Sequence, residues 1–347
     1  MSLAAWKTVR LAYRMGASEG LIGRIYSGLR HGADYNKPSL MLNLLGRDIT
    51  RAFRDSNDVI LVAHPVLVAV LKGKGKLVYQ HGELAAPTEA VVRGADRVLV
   101  PSSEAAKPFL ESGYSENQLL VTGLCIEPAL VRQASDAYHP RLLRINGQEP
   151  LTGGFFSSGA EPKAHVEKLV TAAGEAVIEG GTVILFAGPQ GRLLRKARDS
   201  FRDWQIEYGE IGPGDPIPAE PPEALIIRYS SRRELNIFTE QFFGMFDYFV
   251  SPSHERTNWA LGLGLPMFIV GPAYGPFAPI NERILIEAKV ARNLDESAAG
   301  GFGEWLTDLR QHGYLSEMAQ SGFEKRSIDG FSSIADFFIN YCGSNSL

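Results

Sequence analysis

The fold is decided by the stretch Asp247–Asn258, DYFVSPSHERTN, which continues through Trp259–Gly264, WALGLG, into Leu265–Pro272, LPMFIVGP. An apolar strand here ends in Ser-Pro-Ser and turns directly into a helix rich in small residues, and a second apolar strand follows. Such a turn leaves unpaired N–H groups and the positive end of a helix dipole beside the strand end. We therefore predict an anion site at this turn, with Ser253 or Thr257 capping the helix. An ordinary strand, turn and helix is the equal alternative.

Short apolar segments alternate with helical ones along the whole chain. The first pair is a strand at Thr8–Tyr13 and a helix at Leu21–Leu29, and later strands are predicted at Lys76–Tyr79, Arg97–Val100 and Thr182–Phe186. This alternation predicts an α/β protein whose parallel strands are covered by helices on both faces. In such sheets, ligands bind beyond the carboxyl ends of the strands.

The chain length predicts two domains, because 347 residues exceed what a single hydrophobic core usually serves. The strand signal weakens over Glu127–Pro150, and a second series of strands then begins. We therefore predict two Rossmann-like domains facing each other across a cleft, residues 1–145 and residues 146–330. Residues 331–347 are predicted to form a C-terminal helix that packs back toward the first domain.

The composition excludes several classes of protein. It is 45% hydrophobic and 21% charged, and no apolar run reaches the roughly 18 residues of a membrane-spanning helix. The N-terminus has no signal-peptide pattern, and Cys125 and Cys342 have no metal-type spacing, so we expect a reducing, cytoplasmic location. Residues 1–76 carry 12 Lys and Arg against five Asp and Glu. This basic region leaves peripheral contact with an anionic membrane open, whereas the acidic remainder argues against nucleic-acid binding.

The chain contains no familiar catalytic signature: the P-loop, Gly-x-Ser-x-Gly, His-Glu-x-x-His and Cys-x-x-Cys are all absent. The functional prediction therefore rests on where the polar turns lie. Gly153 and Gly154, taken as a turn that opens the second domain, and the turn Ser253–Thr257 are both predicted at the carboxyl edge. Together they would hold a diphosphate through backbone N–H groups. For Gly153 and Gly154, a simple tight turn is the equal alternative.

Four segments of the second domain carry a resemblance to a known fold family: Thr152–Gly154, Phe246–Ser251, Ala260–Pro266 and Asn281–Arg283. In these segments the chain resembles the donor domain of the GT-B glycosyltransferases. The likeness is nearest to the branch of the peptidoglycan N-acetylglucosaminyl transferase and monogalactosyldiacylglycerol synthase. The first domain is compatible with this, since polar residues end its strands, as at Tyr79–Gly82.

The resemblance implies metal-independent transfer of a sugar from a nucleotide-diphosphate donor, with a UDP-sugar favoured, to a lipid-linked or small-molecule acceptor. It implies no cofactor. The nucleotide base would lie near Arg228–Ser231 and the diphosphate on the turns at Gly154 and Ser253. The nucleotide-sugar-binding residues implied in this way are Gly153, Gly154, Arg228, Ser230, Ser253, His254, Glu255, Thr257, Asn258, Asn281 and Glu282.

Two positions depart from the pattern of the resembled branch. Its ribose-binding glutamate is replaced here by Trp259, and its loop histidine by the segment Gly16–Gly20. The candidates for the catalytic base are then His81, Glu83 and Glu19, with His64 behind them. Each has a structural alternative, because a histidine at a strand end can bond a nearby carbonyl and a glutamate in a first turn can serve the helix dipole.

Two other functions share the predicted fold. A non-hydrolysing nucleotide-sugar 2-epimerase would need several carboxylates, for which Glu83, Glu255 and Glu282 are the candidates. A non-catalytic nucleotide-sugar-binding protein would fit Trp259 and the missing loop histidine. Transfer to an acceptor separates the first function from the second, and donor binding without turnover indicates the third.

Overall fold

The structure is a computed structural model, and it describes residues 34–37, 40–218, 220–254 and 256–343. No helix among these residues is long and apolar enough to cross a membrane. Several sequence-based predictions lie outside the described residues: the strand at Thr8–Tyr13, the helix at Leu21–Leu29, Glu19, Glu255 and the last four residues of the helix predicted at 331–347.

The chain divides into two compact units. Unit 1 comprises the described residues up to Ile126, the short segment Gly275–Ile280 and the residues from Ser327 onward. Unit 2 comprises Glu127–Tyr274 and Asn281–Arg326. The boundary therefore lies before Glu127, earlier than the predicted boundary between residues 145 and 146, because the long helix that follows Glu127 packs within unit 2.

Each unit is built around one sheet, and every strand pairing in both sheets is parallel. The strands are β1 (Val59–Val62), β2 (Lys76–Gln80), β3 (Arg97–Val100), β4 (Leu119–Val121), β5 (Thr152–Phe156), β6 (Thr182–Ala187), β7 (Tyr208–Ile211), β8 (Ala224–Arg228), β9 (Tyr248–Ser251), β10 (Met267–Val270) and β11 (Ala291–Leu294). Unit 1 has the strand order β1-β2-β3-β4, and unit 2 has the order β11-β10-β9-β5-β6-β8-β7. The predicted α/β class with two parallel sheets is confirmed.

Helices connect the strands and cover the sheets. They are α1 (Leu40–Ala52), α2 (Pro65–Leu71), α3 (Ser103–Glu111), α4 (Pro128–Asn146), α5 (Lys163–Ile178), α6 (Arg192–Asp203), α7 (Arg232–Phe242), α8 (Thr257–Gly262), α9 (Ala278–Glu287), α10 (Glu296–Gly300), α11 (Phe302–Gln311), α12 (Tyr314–Gly322) and α13 (Gly330–Gly343). Short 3-10 turns lie at Glu116–Gln118 and Phe243–Met245.

The C-terminal segment of the described chain packs on the sheet of unit 1. Ile334 of α13 lies in one apolar cluster with Val78 of β2 and Leu99 of β3. Just before α13, the backbone N–H of Leu124 donates to the carbonyl of Ser327 at 2.8 Å. Apolar contact thus joins α13 to the strands of unit 1, and the hydrogen bond joins the segment before α13 to the segment after β4.

The sheet of unit 2 is buried on both faces, because its central strands are almost wholly apolar. One face packs Phe155 and Val250 into the main core cluster. The other face carries an aromatic cluster in which Phe156 stacks on Phe186, with ring centroids 4.4 Å apart, and meets Trp259 edge-on at 5.5 Å. This second cluster reaches the last residue of β5, where the strand turns into its loop.

Gly153 and Gly154 lie inside β5 and do not form a turn. A Cβ atom built at Gly153 would come within 2.4 Å of Cζ of Tyr248, and one at Gly154 would come within 3.0 Å of the Phe156 ring and 3.2 Å of the Phe246 ring. The two glycines therefore make room for aromatic side chains beside the sheet. The expected glycine turn is wrong, since these residues belong to the strand that the turn was supposed to follow.

The amino edge of the unit 2 sheet, meaning the end at which its strands begin, is held by buried charges. Nε of Arg141 donates to the carbonyl of Phe246 at 2.7 Å, and Nη1 donates to a carbonyl of the turn before β10 at 2.9 Å. Arg144 forms an ion pair of 2.8 Å with buried Asp247, whose other carboxylate oxygen accepts from the N–H of Thr152. These bonds tie α4 to the starts of β5 and β9.

Candidate functional site

The carboxyl edge of the unit 2 sheet, meaning the strand ends and the turns that follow them, collects buried polar side chains. Strands β5 and β9 are neighbours, and Phe155 pairs with Val250, so the two strands end side by side. The turns after them are buried although they are polar. The buried polar residues of this region are Ser157, Ser158, Ser251, Ser253, Thr257 and Asn281.

Asn281 of α9 presents a fixed hydrogen-bond acceptor to this edge. Its Nδ2 donates to the carbonyl of Ser253 at 3.0 Å, which sets the orientation of the amide because only the NH₂ group can donate. Its Oδ1 is fully buried and has no hydrogen-bond partner among the described residues. A buried acceptor without a donor costs about 1–3 kcal/mol, so a bound water or a ligand donor would stabilise this oxygen.

Two serine hydroxyls at this edge are also buried without a hydrogen-bond partner in the described chain. Ser157 follows the last residue of β5 and Ser251 is the last residue of β9, and the Oγ atoms of both are buried without a partner in the described part of the chain. A hydroxyl can donate to a phosphate oxygen or accept from another hydroxyl. The carboxyl edge thus holds three buried oxygen atoms that form no hydrogen bond within the described structure.

Arg256 brings a positive charge to the same edge. It adopts the left-handed backbone conformation with φ of 55° and immediately precedes α8. Its guanidinium lies 4.2 Å from the ring centroid of Phe156 and 5.3 Å from that of Trp259, within the range of cation–π contact. Neither the periodicity nor a motif singles out Arg256 in the sequence, because its position depends on this backbone turn.

The turn after β9 differs from the predicted cap. No side chain caps α8, which begins at Thr257 and is only six residues long. Thr257 is buried as the first helical residue, Ser253 lies in the turn, and His254 and Asn258 are half-buried beside them. The expectation that Ser253 or Thr257 caps this helix is therefore wrong, since Arg256 takes the cap position.

Trp259 occupies the position where the resemblance expects a ribose-binding glutamate. It is 2% exposed and packs against Phe156 and Phe249 in the aromatic cluster. Its indole Nε1 donates to Oε2 of Glu127 at 3.0 Å. A carboxylate is thus present beside this position, contributed by the residue before α4.

Arg228 and Ser230 lie at the carboxyl end of β8, two strands away from β5 in the sheet order. Nε of Arg228 forms a 2.7 Å ion pair with Glu210, so a carboxylate already balances its charge. Ser230 is exposed, and its backbone N–H donates to Glu234 at 2.7 Å. Glu234 in turn bonds to Ser231 at the start of α7. The structure therefore puts these two residues at the predicted edge, apart from the buried oxygens.

Glu282 follows Asn281 on α9 but makes a different contact. Its Oε1 accepts a hydrogen bond of 2.8 Å from Nδ2 of Asn293 on β11. The adjacent pair predicted to face the donor is thus divided, with Asn281 buried against the turn after β9 and Glu282 half-buried against β11.

His81 of unit 1 is a core residue. It is 3% exposed, its Nε2 lies 3.0 Å from the carbonyl of Ala85, and its Nδ1 lies 3.3 Å from the hydroxyl of Tyr79. Burial lowers the pKa of His81 to about 4, so the ring is neutral near pH 7. Both ring nitrogens of His81 thus bond to groups of unit 1.

The other base candidates in the described chain differ in exposure and contacts. Glu83 is exposed beyond the end of β2. His64 is also exposed, and its Nδ1 accepts from the N–H of Val66 as the cap of α2. Within the described residues, no three His, Cys, Asp or Glu side chains come together as a metal-binding group.

No protein-family model matches the chain, and no curated protein matches it in sequence. Solved structures do match its fold. S. aureus MnaA in a co-structure with UDP is 13% identical with a TM-score of 0.53, over 84% of this chain and 77% of that one. Neisseria meningitidis UDP-GlcNAc 2-epimerase bound to UDP-GlcNAc is 12% identical with a TM-score of 0.51, over 88% and 83%.

A further UDP-N-acetylglucosamine 2-epimerase is 14% identical with a TM-score of 0.52, over 88% of this chain and 79% of that one. At this level of identity the similarity concerns the fold alone. Together with the two parallel sheets, it establishes two Rossmann-like domains of the GT-B type. The predicted fold family is confirmed at that level.

Proposed function

We propose that the protein is an enzyme that binds a nucleotide-diphosphate sugar at the carboxyl edge of the unit 2 sheet and transfers the sugar to an acceptor. One observation carries this proposal: Oδ1 of Asn281 is a buried acceptor of fixed orientation with no donor among the described residues, at the same sheet edge as the hydroxyls of Ser157 and Ser251, which also lack a described partner. Buried polar atoms usually have a partner, so three such atoms at one edge favour a ligand that satisfies them.

The chemistry of these atoms selects the class of ligand. Oδ1 of Asn281 can only accept, so its partner must carry a hydroxyl or an N–H group and is not a phosphate oxygen. The hydroxyls of Ser157 and Ser251 can donate to phosphate oxygens, and the guanidinium of Arg256 can balance phosphate charge. A sugar joined to a diphosphate offers both kinds of group in one molecule, whereas inorganic phosphate offers only one.

The neighbours in fold support a uridine nucleotide. The S. aureus protein was solved with UDP and the N. meningitidis epimerase with UDP-GlcNAc. Parallel α/β sheets bind nucleotides beyond the carboxyl ends of their strands, which is where the unpartnered oxygens of this chain lie. We therefore propose UDP-sugars as the donors to test first.

Sugar transfer is the reaction that we favour. Arg256 and the serine hydroxyls would stabilise the leaving diphosphate, and Glu83 is the candidate base among the described residues, with Glu19 the candidate outside them. The acceptor would be a lipid-linked or small molecule, and the basic N-terminal region would suit an anionic membrane surface. This scheme uses no metal and no cofactor.

Epimerisation at C2 of the sugar is the second candidate, since two of the neighbours in fold are UDP-GlcNAc 2-epimerases. It would rely on carboxylates such as Glu83, Glu255 and Glu282. One oxygen of Glu282 already accepts from Asn293, which disfavours it as a free base. A non-catalytic nucleotide-sugar-binding protein is the third candidate.

Calorimetry with UDP, ADP, GDP and dTDP tests the proposal. We expect saturable binding of UDP, weakened at least about tenfold in Asn281→Asp, because the new carboxylate loses the bond to Ser253 and repels the diphosphate. Asn146→Asp is the matched control, since it adds the same charge at the exposed last residue of α4, by the opposite edge of the sheet, and should bind like the wild type. Absence of binding for every nucleotide would overturn the proposal.

Turnover then separates the three functions. The purified protein is incubated with UDP-GlcNAc and related donors, with and without candidate acceptors, and the products are followed by NMR. A new epimer without acceptor would indicate the epimerase. Consumption of donor only with acceptor would indicate the transferase, and binding without either product would indicate the non-catalytic protein.

A further inference from the structure

We propose that Glu127 recognises the vicinal hydroxyl pair of the nucleotide's ribose. This inference rests on the proposed function and adds the residue that determines specificity for a ribonucleotide. Glu127 lies immediately before α4, at the first residue of unit 2, and no motif or periodicity in the sequence marks it.

The carboxylate of Glu127 is held in place but retains free acceptor capacity. Its Oε2 accepts from Nε1 of Trp259 at 3.0 Å. A carboxylate offers about four acceptor positions, and this indole bond is the single hydrogen bond that its side chain makes within the described structure. A vicinal diol presents two adjacent O–H donors, which match the remaining positions of one carboxylate.

The course of α4 carries Glu127 to the carboxyl edge. Arg141 and Arg144, near the end of this helix, bond to Phe246 and Asp247 at the start of β9, which is the amino edge. A helix rises about 1.5 Å per residue, so the chain from Arg144 back to Glu127 spans roughly 25 Å and passes the full length of the strands. The contact of Trp259 with Phe156, the last residue of β5, agrees with this position.

The order of groups along the chain, from the turn after β9 into α8, matches the order of groups in a nucleotide-diphosphate sugar. Ser253, Arg256 and Trp259 follow one another at intervals of three residues. Asn281 bonds to the first of them and Glu127 bonds to the last, so an acceptor stands at each end and a cation stands between. In the ligand, likewise, two hydroxyl-bearing sugars flank a diphosphate. The acceptor of Asn281 then serves the transferred sugar, and that of Glu127 serves the ribose.

Nucleotides that lack single ribose hydroxyls test this inference. Calorimetry compares UDP with 2′-deoxy-UDP for the wild type, Glu127→Gln and Asp136→Asn. We expect the wild type to bind UDP about 10-fold to 100-fold more tightly than the deoxy form, because each hydroxyl bonds a charged acceptor. Glu127→Gln should reduce this preference to less than about threefold. The exposed carboxylate of Asp136 on the same helix provides the matched control, which should keep the full preference.

The ratio of the affinities for UDP and 2′-deoxy-UDP distinguishes loss of ribose recognition from loss of folding, because a general loss of structure would weaken the binding of both ligands equally. If the wild type binds UDP and Glu127→Gln keeps the full preference for it, the assignment of Glu127 is overturned and the proposed function survives. An effect of Glu127→Gln that occurs with UDP-sugars but not with UDP would also overturn it, because UDP carries only the ribose. If the wild type binds no nucleotide, both proposals fall.

Discussion

The two edges of the unit 2 sheet differ in how their buried polar groups are bonded. At the amino edge, Arg141 donates to backbone carbonyls, and Arg144 and Asp247 neutralise each other, although Nη2 of Arg141 and one tyrosine hydroxyl are buried there without a partner in the described chain. At the carboxyl edge, Ser251 and Asn281 keep oxygens that no described residue satisfies. The bonds made at the first edge contribute to stability, whereas each unpartnered atom is kept at a cost in stability. Such a cost is expected where a ligand completes the hydrogen bonds.

The largest expected effect belongs to the amino edge. Arg141→Met should lower the free energy of unfolding by about 3–5 kcal/mol, because it leaves buried carbonyls unpaired and removes a charge that faces Asp247. Urea denaturation followed by tryptophan fluorescence measures this. Arg132→Met, on an exposed part of the same helix, should change stability by less than about 0.5 kcal/mol.

Binding should separate from stability in the same variant. At a temperature where Arg141→Met is folded, its affinity for UDP should equal that of the wild type, because Arg141 lies at the opposite edge from the proposed ligand. A large loss of affinity in the folded variant would contradict the division of roles between the two edges.

The buried side chain of His81 in unit 1 makes the free energy of unfolding depend on pH. The pKa of His81 is about 4 in the folded protein, lowered by burial from an ordinary value near 6.5. The unfolded chain therefore binds a proton first as the pH falls. The contribution of His81 is fully present above pH 6.5 and is lost as the pH falls from about 6.5 to 4, by about 3 kcal/mol in all. His81→Gln should remove this component from urea-denaturation curves recorded between pH 4 and pH 7.

The wild-type denaturation curves recorded over the same pH range supply the reference for that experiment. If His81→Gln showed the same loss of stability on acidification as the wild type, the buried and neutral state of His81 would be refuted.

The sequence predicts the architecture well because strands that are buried in the core consist of apolar residues, and this is visible in short segments of the sequence. The segments at Arg97–Val100 and Thr182–Phe186 read as strands from their apolar residues alone, and the structure has β3 and β6 there. The same reasoning fails at Gly153 and Gly154. Paired glycines ordinarily indicate a turn, but here tertiary packing requires their missing side chains, since the ring of Tyr248 fills the space.

The candidate site is less predictable, because it depends on which polar atoms remain unpaired after folding. The sequence selects Asn281 and Ser253 from the fold resemblance, but it cannot indicate that the Nδ2 of Asn281 bonds to the Ser253 carbonyl and leaves Oδ1 free. It selects His81 for its residue type, whereas the fold satisfies both ring nitrogens. Arg256 and Glu127 escape notice because a left-handed turn and a long helix bring them to the edge.

A smaller effect is expected at the carboxyl edge. Ser251→Ala should leave the free energy of unfolding unchanged or raise it by up to about 1 kcal/mol, because it removes a buried hydroxyl that has no partner. The same change should weaken UDP binding by about fivefold to tenfold, through the loss of one hydrogen bond to the ligand. Thermal unfolding with and without UDP measures both quantities. A variant that is less stable without ligand would mean that Ser251 serves the fold.

The smallest effect is expected for a substitution that removes an unpartnered hydroxyl far from the carboxyl edge. The hydroxyl of Tyr248 is also fully buried and has no partner among the residues that the structure describes, but Tyr248 pairs with Gly153 near the start of the strands. Tyr248→Phe should raise stability by about 0.5–1 kcal/mol, much as Ser251→Ala does, and should leave UDP affinity unchanged. The two variants thus each remove one buried, unpartnered hydroxyl, at opposite ends of the same strand. If Tyr248→Phe weakened UDP binding as strongly as Ser251→Ala, the effect of deleting a buried hydroxyl would not depend on the edge at which it lies. The assignment of the UDP site to the carboxyl edge would then be contradicted.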